Sequence, residues 1–98
     1  MSIPLSSIRC ALQIALLGAV TQNLRAINAV VKEKNIEIYF YYETHPSEEE
    51  EELSEIVETE IYSYFMDTSI ATYRVVLPIS NKIPELGIRI FHRKEWLE

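Results

Sequence analysis

Five consecutive glutamates, Glu48 to Glu52, and one glutamate set among apolar neighbours, Glu60, are the residues whose placement could do chemistry. Leu53, Ile56, Val57, Ile61, Tyr64 and Phe65 make one apolar stripe on a helix advancing about 100° per residue, and Glu60 falls inside it, between Ile56 and Tyr64. A carboxylate in that position must be paired or protonated. Arg25, beside Ile27 on the first strand, is the expected partner, so Arg25 and Glu60 are read as a buried structural pair. Hydrolysis by two carboxylates would need a second acid at a defined distance. Glu37 and Glu43 are available, but no spacing selects them, and no catalytic residue is assigned. His45 and His92 lie far apart with no ligand-spaced partner, which argues against a metal site. His92 is expected to share a face with Ile88 and Ile90 at the edge of the core. Cys10 has no activating motif and reads as a small core residue. The two glycines form no phosphate loop, and the glutamate run lacks the spaced acids and turn glycine of a calcium loop. The expectation is a non-enzymatic protein without metal or cofactor.

The charge layout limits the partners. Between Asn35 and Tyr73 there are eleven acids and no Lys or Arg, while the flanks hold all nine basic residues and the remaining four acids. The net charge is −6. Such a segment projects a negative field that repels nucleic acid and anionic membranes and attracts a basic protein. With 98 residues and a single cysteine, the chain reads as one domain, residues 1–98, with no internal disulfide. That cysteine usage fits a reducing compartment, and the expected location is cytoplasmic. The apolar stretch from Cys10 to Val20 loosely mimics a signal peptide, but Gln13 interrupts it and no small-x-small cleavage site follows. It is also short of the ~20 residues a spanning helix requires.

The elements that must position these residues read as αββαββ. Residues 4–17 form the first helix, with Ser2 as a cap and Gly18 as terminator. Leu5, Ile8, Leu12, Ala15 and Leu16 make one stripe, and Cys10, Ile14 and Leu17 a second, so this helix is apolar nearly all round. Residues 24–32 and 36–43 form a hairpin. In its second strand Ile36, Ile38, Phe40 and Tyr42 point one way, and Glu37, Tyr39, Tyr41 and Glu43 the other. Ser47 and Glu50 form a capping box that starts a helix running to about residue 66. Residues 72–79 and 87–93 are the last two strands. The fold class is α+β: a two-layer α/β sandwich whose four-stranded sheet carries both helices on one face.

Two surfaces then become candidate contacts. One is the helix start with Glu48, Glu49, Glu51 and Glu52. The other is the outer sheet face, where Glu37, Tyr39, Tyr41, Glu43, Arg74 and Phe91 are expected to point away from the helices, with Arg89 and Arg93. Tyrosine and arginine together are the composition of binding hot spots. The segment ALQIALLGAVTQNLRAI (11–27), then IEIYFYYE, Glu58-Thr59-Glu60 and a closing FHRKE resemble a family of small acidic bacterial proteins of unassigned function. Its most specific parts are Leu16-Leu17-Gly18, Val20-Thr21 and Asn23-Leu24-Arg25. Family members often carry proline where Gln22 stands, and fewer consecutive glutamates. In its acidic, motif-free character the chain is also similar to toxin-immunity proteins. That likeness implies an immunity or antitoxin protein covering a basic toxin. The alternative is a self-associating accessory protein that forms a homodimer through the first helix or the sheet face.

Overall fold

The computed structural model describes residues 5–15 and 20–95. Its elements are α1 (Leu5–Ala15), β1 (Leu24–Lys32), β2 (Asn35–Tyr42), α2 (Glu48–Tyr64), β3 (Ser69–Val76) and β4 (Ile88–His92). Two helices and one four-stranded sheet make an α+β fold in αββαββ order. The expected cap Ser2 and terminator Gly18 lie outside the described residues.

Local chemistry accounts for the first three strand and helix boundaries. β1 and β2 pair antiparallel with Lys32 opposite Asn35, so Glu33-Lys34 is a two-residue turn. Such turns require positive φ, which Glu33 adopts at 50°. Along β2, Ile36, Ile38, Phe40 and Tyr42 are all buried and belong to one core cluster, as their alternation requires. At the start of α2, Ser47 Oγ accepts the Glu50 N–H and the Glu50 carboxylate accepts the Ser47 N–H, completing the capping box. Four glutamates occupy the first turn, where the positive end of the helix dipole favours them. The helix stops at Tyr64, and the Phe65 N–H closes it by donating to the carbonyls of Ile61 and Tyr62.

Long-range pairing decides the rest. The strand order is β3-β2-β1-β4. β3 lies parallel to β2 along its full length, from Asn35↔Ser69 to Tyr42↔Val76. It therefore starts three residues before the expected position 72 and ends at Val76 instead of residue 79. α2 is the connecting helix that a parallel pair demands. β4 pairs antiparallel with β1 at the opposite edge. The chain must then travel from one sheet edge to the other between β3 and β4, and this crossover, residues 77–87, runs over the face opposite the helices. There Leu77 and Ile83 pack on Ala26, Tyr39, Tyr41 and Val75.

The main core lies between the helices and the sheet. Ala11 and Leu12 of α1 and Val57 and Ile61 of α2 meet Leu24, Ile27, Ala29, Ile36, Ile38, Phe40, Tyr42 and Ile90. Both helices thus cover the same face. Cys10 is exposed, not buried as its type suggested. Only Ala11 and Leu12 among the described side chains of α1 are buried, while Ser7, Arg9, Cys10 and Gln13 face outward.

Candidate protein-binding surface

The inward line of α2 is Glu50, Ser54, Val57 and Ile61, all buried. Glu60 lies about a quarter turn from that line and is half-buried at the rim. Ile56 and Tyr64 are 51% and 53% exposed. Of the expected stripe, Val57 and Ile61 are buried on the sheet, whereas Ile56 and Tyr64 point mainly to solvent, which leaves Glu60 at the rim. The Arg25–Glu60 pair does not form.

Arg25 instead pairs with Glu95. It is the extra residue of a β-bulge, since Leu24 opposes Tyr42 and Ala26 opposes Tyr41. Its guanidinium reaches Glu95 with Nε–Oε2 at 2.8 Å and Nη2–Oε1 at 3.0 Å. Nη1 donates to the carbonyls of Leu77, Pro78 and Asn81, each at 2.9 Å. Arg93 Nη2 adds a second cation to Glu95 at 3.0 Å. The hydrogen bond from Arg25, then that from Arg93, hold the Glu95 carboxyl at about 2, against the opposing effect of burial. Glu95 in turn raises the Arg25 guanidinium above its ordinary value. This clasp ties β1, the crossover and the C-terminal segment together. Sequence spacing could not find it, because the partners stand 70 residues apart.

The glutamate run divides into two roles. Glu48, Glu49 and Glu52 are exposed and Glu51 is half-buried, whereas Glu50 is buried. Besides the Ser47 N–H, Glu50 accepts the Thr21 hydroxyl and Asn23 Nδ2. Burial pushes the Glu50 carboxyl up, but bonds from Thr21, Ser47 and Asn23 outweigh it and leave the group below its ordinary value. Asn23 also binds Thr44 through N–H, hydroxyl and carbonyl. Thr21, Asn23 and Arg25 are thus structural fasteners. Burial, followed by the charge of Glu50, pushes the neighbouring Tyr42 phenol up to about 12.

The outer sheet face differs from its expected form. Tyr41 is 3% exposed beneath the crossover. Phe91 packs against the helix-side core, because Ile27 opposes Phe91 and Asn28 opposes Arg89, which leaves Ile90 bulged. The same bulge separates His92 from Ile88 and Ile90. His92 is exposed and lines a cavity of about 330 Å³ with Arg25, Ile83, Arg89 and Glu95. Arg74 turns toward α2, where Nη1 donates to Ser54 Oγ at 3.0 Å. Arg89 Nε donates to Asn28 Oδ1 at 2.5 Å. Arg93 pairs with Glu43 at 3.0 Å. Tyr39 and Glu37 remain half-buried on this face. Tyr39 stacks on Tyr73 with centroids 4.9 Å apart and donates its hydroxyl to Glu37.

On its outward side α2 continues the glutamate-rich start with large exposed side chains. Ile56, Tyr62, Tyr64 and Met66 are each at least half exposed, set among exposed Glu52, Glu55 and Asp67. An open groove of about 700 Å³ runs where the end of α2 meets the start of β3, lined by Glu58, Tyr62, Met66, Asp67 and Ile70. The periodicity of residues 53–65 contained this signal, since it holds more apolar positions than one buried stripe can use. Among the described residues no three His, Cys, Asp or Glu side chains are placed to hold a metal ion. Among the same residues no helix is long and apolar enough to cross a membrane.

The family model described as "MafI2 immunity protein" matches residues 6–95. No curated protein matches the chain.

Proposed function

This chain belongs to the MafI2 immunity protein family, and from that membership we propose that it is a non-enzymatic immunity protein that binds and neutralises a basic protein toxin in the bacterial cytoplasm. Its contact surface is acidic and includes Glu48, Glu49, Glu51 and Glu52 at the start of α2, continued by Tyr62 and Tyr64 along the same helix. Glu37 and Tyr39 add a second patch on the outer face. The observation that carries this reading is the outward side of α2. The helix holds eight glutamates and no Lys or Arg, and large side chains stand exposed among them. The carboxylates accelerate encounter with a cationic partner, and the exposed aromatic side chains anchor it once docked.

The test is binding to the cognate toxin recovered by pull-down from the native host, measured at low and at physiological salt. Replacing Glu48, Glu49 and Glu52 with lysine is expected to slow association at least tenfold at low salt and to remove most of its salt dependence. Unchanged association kinetics in that variant would overturn the acidic-surface reading.

A further inference from the structure

β3 is an edge strand whose outer side nothing covers among the described residues. Ser69 and Leu77 donate their N–H groups to Lys34 and Tyr42 of the β2 side. In a strand the main-chain groups alternate sides, so the odd-numbered residues face β2. Ile70, Thr72, Arg74 and Val76 therefore direct N–H and C=O to the open edge. The pairing with β2 runs through eight consecutive residues without a bulge. The strand itself contains no Lys or Pro, two of the devices with which natural edges are blunted. β4, at the other edge, is five residues long and bulged.

The surroundings of this edge select its occupant. The groove at the α2–β3 junction is lined by Glu58 and Asp67 and by no Lys or Arg. The one cation of β3, Arg74, is bound to Ser54. A second copy of this chain fits poorly. Antiparallel β3–β3 pairing would bring two α2 helices together on one face, each with eight glutamates and no base. A positively charged strand meets no such repulsion. We propose that the open edge of β3 captures an extended, basic segment of the toxin as a fifth strand, with flanking side chains seated in the groove beside Tyr62 and Met66. Main-chain bonds supply affinity in this mode, and the acidic groove supplies charge selectivity. The inference rests on the immunity reading above and names the element that does the binding.

Thr72→Pro tests it directly. Proline at this position removes an N–H that faces the open edge and leaves every β2–β3 bond in place, a placement edge strands tolerate. The variant is expected to lose at least tenfold in affinity for the cognate toxin recovered from the native host, with an unchanged circular dichroism spectrum. Hydrogen exchange on the unmodified chain gives a readout that needs no variant. The amides of Ile70, Thr72, Arg74 and Val76 should exchange freely alone and become protected in the complex. Wild-type affinity in a folded Thr72→Pro variant, or unprotected even-numbered amides in the complex, would overturn edge capture while leaving the immunity reading intact. Absence of binding by the unmodified chain would overturn both. A dimer in light scattering that Thr72→Pro converts to monomer would assign the edge to a second copy instead.

Discussion

Replacing Glu95 with glutamine removes the counter-charge of Arg25 while keeping the size of the side chain. Arg25 is 2% exposed and the Glu95 side chain 5% exposed, so water cannot take the carboxylate's place. Uncoupling one partner of a buried pair typically costs about 3–5 kcal/mol, because the remaining charge is stranded. Linkage provides a second route to the magnitude. Glu95 titrates at about 2 against an ordinary 4.5, a difference that corresponds to about 3 kcal/mol at most. Its folded value is depressed, so the stabilisation is fully present above pH 4.5 and is lost as pH falls toward about 2. A domain of this size has on the order of 10 kcal/mol in total, so the variant should remain folded at neutral pH. Urea denaturation is the assay. With a slope on the order of 1.5 kcal/mol per molar, the midpoint of Glu95→Gln should lie about 2 M below wild type at pH 7. The gap should close between pH 4.5 and pH 2. Glu52→Gln, on the solvent side of α2, should stay within about 0.5 kcal/mol of wild type. A midpoint loss under about 0.5 M at pH 7, or a gap that persists undiminished to pH 2, would refute the clasp as a charged, buried fastener.

Two further outcomes follow from the same geometry. Glu50→Ala should cost about 2–3 kcal/mol in thermal or urea unfolding, because it removes half of the capping box and strands Thr21 and Asn23; Glu49→Ala, one residue earlier and exposed, should change stability by less than about 0.5 kcal/mol. Gly87 sits at φ +61, and a Cβ there would stand 2.1 Å from the Ala29 carbonyl oxygen. Gly87→Ala should therefore cost about 3 kcal/mol or more, and hydrogen exchange should show β4 losing protection before β1 and β2, whereas uniform protection across the sheet would contradict the close approach.

The immunity reading and the edge proposal divide the work of one surface. In the proposed binding mode, carboxylates on the outward side of α2 would act at a distance and govern encounter rate. The open side of β3 would act only at contact and govern dissociation. Charge reversal on α2 and Thr72→Pro on β3 should therefore separate kinetically, the first in association and the second in dissociation.

Local chemistry was legible from the residues alone. Ser47 and Glu50 announced the start of α2 because both partners of the capping box lie three residues apart. The alternation of Ile36, Ile38, Phe40 and Tyr42 fixed the inward face of β2 because side-chain direction in a strand has period two. The segregation of charge that separates the middle of the chain from its ends is a property of composition and needed no coordinates. What the tertiary structure decided were the matters that depend on which distant segments meet. The order β3-β2-β1-β4 forces the crossover over the outer face, and that path buries Tyr41, which alternation alone would expose. A one-residue bulge at Ile90 turned Phe91 toward the core and His92 away from it. Another at Arg25 aimed its guanidinium at Glu95 instead of Glu60. A bulge inverts every facing downstream of it, and a crossover covers whatever lies below it. Both depend on pairings tens of residues apart, where a single chain read in order has no periodicity to report them.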